Sequence, residues 1–183
     1  MAHINDFVAH MTGGGARANQ FQVFLNFPGD LANHKTTSKS MFLCKTASLP
    51  SSTIENIAVP YRGRMVNFAG ERTFETWEVT IINDTDFVTH KALMEWMRRV
   101  QNFAQSNGAV TPQDYYQTLR VQQLGRNGEP LLTYNFVDAY PTLVGSIPLD
   151  YSTGDTIEEF TCTFTYNYYE YDDAAELYNP YQN

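Results

Sequence analysis

Lysine and arginine vanish from the last third of this 183-residue chain, where Arg126 is the final basic side chain. Residues 127–183 carry ten acids and no Lys or Arg, while residues 1–126 hold all twelve basic groups against ten acidic ones. The net charge of −8 therefore belongs to the C-terminal third. Such a surface argues against gripping a nucleic acid, which needs clustered cations to neutralise phosphates. It leaves room for DNA to pass close by, since an acidic wall repels phosphate. Ordinary solubility charge is the plainer reading of the same composition.

Cysteine is nearly absent, and Cys44 and Cys162 are the only two. Each lies on a strand-like segment beside bulky apolar neighbours, Leu43 and Phe164 among them, so two buried thiols are expected. A disulfide stays open, although nothing marks a secreted chain. Long apolar runs are missing as well. Nothing approaches membrane-spanning length, and Met1–Met11 lacks the basic start and apolar core of a signal peptide. No membrane insertion is expected, and the chain reads as one made in a cytosol or assembled from one.

Catalytic constellations are also lacking. His3, His10, His34 and His90 have no Cys or His at metal-ligand spacing. His90 shares a helix with Lys91 and Glu95 and reads as a solvated residue. Glu158 and Glu159 are adjacent carboxylates, but neighbours on a strand point to opposite faces and do not share a substrate. No nucleophile motif or phosphate loop occurs. No catalytic residue, cofactor or metal is expected.

What the chain does have is core-forming material. Hydrophobic content is 43% and charged content 17%, values of a globular chain, and one domain over residues 1–183 is expected. Aromatics reach 14%, with 12 Tyr and 12 Phe. That area serves either a β-rich core or an interface. Residues 1–19 read as an N-terminal arm: a short amphipathic piece (Ile4, Phe7, Val8, Met11), then a flexible joint at Gly13-Gly14-Gly15. The arm is expected to dock on a neighbouring molecule. Gln20–Phe27 is a first strand, with Phe21, Val23, Leu25 and Phe27 on one face. Pro28–Ser40 reads as a long polar hairpin loop and Met41–Ala47 as a second strand. Thr53–Tyr61 and Arg64–Ala69 are two more, joined near Arg62-Gly63.

The segment 66–96 is the most telling. The apolar run Met65–Ala69 stops at Gly70-Glu71-Arg72, which predicts a tight reversal. In Phe74–Ile82, Trp77, Val79 and Ile81 alternate with Thr76, Glu78 and Thr80, the pattern of a half-buried strand. Asn83-Asp84-Thr85-Asp86 suits the positive end of a helix. Phe87, Leu93, Trp96, Met97, Val100 and Phe103 then recur at helical spacing, with Asn107-Gly108 as the stop. Trp77 and Trp96 are expected in the core. Tyr115–Leu124 and Leu131–Val137 form a hairpin about Gly125-Arg126-Asn127-Gly128. Ile157, Phe160, Cys162, Phe164 and Tyr166 mark the longest strand, whose other face reads Glu159, Thr161, Thr163, Thr165. The expected fold is mainly β: a two-sheet sandwich or flattened barrel with one main helix.

Three phrases carry a resemblance. They are Asn67-Phe68-Ala69-Gly70-Glu71-Arg72-Thr73-Phe74 with Trp77-Glu78-Val79-Thr80 and Asn83-Asp84; Gly15-Ala16-Arg17-Ala18-Asn19-Gln20-Phe21-Gln22-Val23; and Tyr140-Pro141-Thr142-Leu143-Val144-Gly145 closing on Leu149-Asp150. Together they resemble the tail tube protein family of contractile-tailed, T4-like bacteriophages, over about residues 16–170. The polar loop 28–40 and the C-terminal tail 171–183 depart from it.

The resemblance implies homo-hexameric rings, stacked into a tube that lies in the virion tail after assembly in the host cytoplasm. A sheath would lie outside, with baseplate and terminator proteins at the ends, and DNA would pass through the lumen without specific binding. Glu159, Thr161, Thr163 and Thr165 would face that lumen, joined by Glu78 and Thr80. Two other readings stand beside it. One is the tube, or an initiator ring, of a DNA-free contractile injection system. The other is a monomeric β-sandwich that binds glycans through Tyr166, Tyr168 and Tyr169.

Overall fold

The computed structural model describes residues 4–11, 15–32 and 34–173. The core is built from two sheet halves that share one long bent strand. In the first half, β1 (Phe21–Phe24) pairs with β8 (Gln117–Leu124), β8 with β9 (Pro130–Val144), and β9 with β11 (Tyr168–Asp173). In the second half the far end of β9 pairs with β10 (Glu159–Thr165), β10 with β5 (Trp77–Ile82), and β5 with β2 (Cys44–Ala47). All these pairings are antiparallel. The sheets do not close into a barrel.

The bend in β9 has a local cause. Register steps from Leu119↔Phe136 to Gln117↔Ala139, so Val137 and Asp138 together face Thr118. Two residues against one make a bulge, which bends and twists its strand. Asp138 takes the left-handed conformation at φ 57°, and its carboxylate accepts a hydrogen bond from Asn167 Nδ2 at 2.9 Å.

The expected alternation holds where the core needs it. Trp77, Val79 and Ile81 of β5 and Phe160, Cys162 and Phe164 of β10 are buried, and Val23, Leu25 and Phe27 join them. Trp77 stacks on Phe136 across the halves, with ring centroids 4.3 Å apart. Both tryptophans bury their rings and satisfy their N–H groups. Trp77 Nε1 donates to the Ser48 carbonyl at 2.8 Å, and Trp96 Nε1 to the Tyr115 carbonyl at 2.9 Å. The main helix, α3 (Val88–Val100), turns Thr89, Ala92, Leu93 and Trp96 inward. Its first turn is anchored by Asp84, whose carboxylate accepts the Val88 N–H at 3.2 Å.

Six expectations are corrected. The stretch 28–40 is not a loop. A 3-10 turn (Gly29–Leu31) leads to a helix, α2 (His34–Leu43), which also takes the start of the expected second strand. Its Thr and Ser residues are weak helix formers, but tertiary contacts hold it: Thr36 and Ser40 are buried, and Lys39 bonds Asp84 and Asp86. Gly70-Glu71-Arg72 is not a reversal, because β4 (Arg64–Phe74) runs straight through it beside β3 (Ser52–Tyr61). Register there steps from Ile54↔Arg72 to Asn56↔Ala69, and a Cβ on Gly70 would lie 2.8 Å from the Glu55 carbonyl oxygen. The glycine therefore serves a bulge that brings backbones close.

Phe103 lies beyond α3 and is exposed. Asn107-Gly108 does not stop the helix but forms a short strand, β7 (Asn107–Gly108), against β6 (Gln101–Asn102). The longest strand is β9, and Ile157 lies outside β10 in solvent. Finally, His90 is half-buried with its ring edge-on to Phe160 at 5.0 Å.

The joint at Gly13 and Gly14, His3, and the tail beyond Asp173 lie outside the described residues. Among the described residues of the arm, Ile4–His10 form a short helix, α1.

Candidate functional site: a hydroxyl-lined sheet face and a projecting hairpin

The six residues singled out for a lumen share one sheet face. Cross-strand pairing sets Thr161 opposite Thr80 and Thr163 opposite Glu78, and residues directly opposite in an antiparallel pair project to the same side. Glu159 and Thr165 follow at period two on β10, away from the core. Glu78 and Glu159 are exposed, while Thr80, Thr161, Thr163 and Thr165 are half-buried by their neighbours. Thr142 Oγ1 donates to the Thr163 carbonyl at 3.2 Å, tying β9 to this face.

The face also holds a cation that sequence reading did not place there. Lys45, on β2, puts its Nζ 2.6 Å from Glu159 Oε2. The adjacent Glu158 accepts a bond from Asn83 Nδ2 at 3.1 Å. The two carboxylates thus have separate partners, as expected for strand neighbours. Among the described residues no group of three His, Cys, Asp or Glu side chains is placed to hold a metal, and no helix is long and apolar enough to cross a membrane. Both cysteines are free thiols. Burial pushes the Cys44 thiol up to about 12 and raises that of Cys162 as well.

The second feature is the β3–β4 hairpin. It pairs only with itself, from Ser52↔Phe74 to Tyr61↔Arg64, and turns at Arg62 and Gly63, both at positive φ. Ile54, Ile57, Val59, Tyr61, Met65 and Phe68 are all exposed. Only its base is fastened to the body. Arg72 donates to Tyr169 Oη at 2.9 Å and lies over the Phe74 and Tyr169 rings. One signal in the sequence did point here. Thr53–Tyr61 has apolar residues on both faces and Pro60 within it, a pattern that fits no half-buried interior strand.

The tyrosines proposed for a glycan platform do not share an exposed face: the Tyr166 and Tyr169 rings lie 6.5 Å apart, but of the three only Tyr168 is exposed. Tyr166 is buried beside Phe136, and burial pushes its phenol up to about 12. Tyr169 packs edge-on to Phe74 and Tyr134. Tyr168 is 42% exposed, which leaves no three-ring platform.

The open two-half sheet thus carries a hairpin that pairs only with itself and a hydroxyl-lined face. The family model described as phage tail tube protein matches residues 16–172, most of the chain. The chain belongs to the phage tail tube protein family. It is 27% identical to the tail tube protein of Serratia phage KSP90, over 91% of this chain and 95% of that one. It is 28% identical to the tail tube protein gp19 of Enterobacteria phage T4, over 88% and 95%. Among solved structures, the anti-feeding prophage tube-terminating cap shares the fold with a TM-score of 0.63 at 17% identity, covering 87% of this chain and 92% of that one. The sheath/tube terminator of an extracellular contractile injection system does so at 0.63 and 14%, over 86% and 96%.

Proposed function

We propose that this tail tube family member closes into six-membered rings that stack into the inner tube of a contractile phage tail, the conduit for DNA ejection into the host. The observation that carries this reading is the β3–β4 hairpin. An isolated two-stranded hairpin is marginal in water. Exposed apolar residues on this scale mark an interaction surface, and a second copy that receives the hairpin covers them. The edge strands β1, β2 and β11 pair on one side only among the described residues. Ring closure satisfies such edges.

In that ring the face of Glu78, Thr80, Glu159, Thr161, Thr163 and Thr165 lines the lumen. Hydroxyls keep the wall hydrated, and the Lys45 ammonium is already engaged by Glu159. Passing phosphate then finds little on this patch with which to exchange counterions. The role is passive: no reaction is catalysed and no cofactor is used. A sheath encloses the tube, baseplate and terminator proteins meet its ends, and assembly takes place in the host cytoplasm.

Light scattering across concentration, with negative-stain imaging, tests this. Hollow tubes of stacked rings are expected. A strict monomer at every concentration would overturn the reading. The fold likeness to injection-system terminators leaves a second setting, a DNA-free device. Neighbouring capsid and terminase genes would mark a phage.

A further inference from the structure

The short helix α1 carries Ile4, Phe7 and Val8, Met11 follows directly after its end, and all four are exposed. This i, i+3, i+4, i+7 stripe is the anchor pattern of a helix laid in a groove. Seven helical residues do not stay folded alone in water, so such a stripe requires a partner surface.

The body offers one. A groove of about 1020 Å³ runs between α3 and the far end of β9, lined by Met94, Met97, Val100, Phe103, Tyr140 and Val144. Met94 and Phe103 are exposed by 50% and 84%, an apolar wall left uncovered among the described residues.

Chain length favours the α1 of a second copy over the chain's own. Gly15, Ala16 and Arg17, where the arm joins the body, share a cavity with Leu131 at the start of β9. Thr142, on the same strand, lines the groove. Eleven residues of strand separate Leu131 from Thr142, about 36 Å if straight and about 27 Å if β9 turns a right angle at Asp138. Four chain steps from Gly15 to Met11 span at most about 14 Å. Phe7 lies a further four helical residues on, about 6 Å. The stripe centre therefore reaches only about 20 Å and falls short of its own groove.

We propose that α1 of one copy docks in the α3–β9 groove of the next. This rests on the reading that copies assemble, and it names the contact. Donor and acceptor lie at opposite ends of β9, so the contact is head-to-tail, and such contacts propagate into rings or filaments.

The test uses full-length chains. Val8→Cys protein is mixed with Phe103→Cys protein under assembling conditions and oxidised mildly. Both chains carry Cys44→Ala so that the half-buried native thiol cannot compete, and Cys162 is buried. A two-chain disulfide product from the mixture is expected, and it is lost when Phe7→Glu is added to the Val8→Cys chain. Tubes that form without this product would overturn the docking while leaving the tube reading intact. So would a cross-link from Ile57→Cys to Phe103→Cys in its place, which would put the hairpin in the groove. A Val8→Cys/Phe103→Cys double variant that links within one chain at high dilution would also overturn it. A chain that never associates would overturn both readings.

Discussion

Ile57 and Phe68 stand directly opposite each other across the β3–β4 hairpin, and they are 54% and 55% exposed. A cross-strand apolar pair in solvent gains little for the isolated chain and much for an interface. Ile57→Glu is therefore expected to change the stability of the subunit very little, within about 0.5 kcal/mol as for surface substitutions, while abolishing tube formation. Calorimetry beside electron microscopy checks this. Loss of cooperative unfolding would mean that the hairpin belongs to the core.

The Lys45–Glu159 pair makes a prediction about passage. Both side chains are about half-exposed, so the bond adds little stability. Glu159→Gln is expected to leave tubes intact but to free one lysine per subunit toward DNA. Ejection should slow at low salt and recover at high salt, as counterion release weakens. Salt-independent ejection identical to the parent would remove Lys45 from the channel wall.

Thr163→Lys asks the same of the centre of the face. Thr163 pairs with Glu78, so a lysine there meets one acid and is repeated in every subunit. Tubes are expected to form and virions to eject slowly, with the defect easing in salt. Normal ejection from intact tubes would show that Thr163 does not face the channel.

Trp77 should behave as pure core. It is 1% exposed, stacks on Phe136 and donates to the Ser48 carbonyl. Trp77→Ala is expected to cost about 3–5 kcal/mol, as large aromatic truncations do. The subunit should fail to fold at elevated temperature, and tubes should fail with it. Denaturant titration measures the loss.

Asp84 supplies a pH-dependent contribution. Its bond to Lys39 is the largest influence holding its carboxyl below the ordinary carboxylate value, and the Val88 N–H adds to it. A carboxyl whose pKa is depressed on folding stabilises the native state above its unfolded value of about 3.9 and loses that contribution as pH falls through the folded value. Asp84→Ala should cost about 1–2 kcal/mol at neutral pH, through the lost helix anchor and charged bond. The gap between variant and parent should close below about pH 4. A gap that persists unchanged at pH 2 would show that packing, not charge, sets the cost.

Much of this was legible in the sequence, and the reason is periodicity. Trp77-Val79-Ile81 and Phe160-Cys162-Phe164 alternate at period two because one face of each strand is buried, so the residues themselves record which side is the core. The outward set of Glu78, Thr80, Glu159, Thr161 and Thr163 follows by subtraction. The family phrases, 15–23, 67–84 and 140–150, were readable for the same reason, since they are continuous in the chain.

Tertiary structure decided what depends on contacts distant in sequence. The helix α2 has no strong propensity of its own; Lys39 meeting Asp84 and the burial of Thr36 and Ser40 hold it, and those partners lie far along the chain or across the core. Gly70 reads as a turn in one dimension because glycine permits both a reversal and a close backbone approach, and only the position of Glu55 selects the second. Lys45 joined the hydroxyl face through Glu159, 114 residues away. The groove for α1 likewise exists only where α3 meets the end of β9. Alternation is a local property and travels with the sequence, whereas register, bulges and ion pairs are set by which strands come to lie side by side.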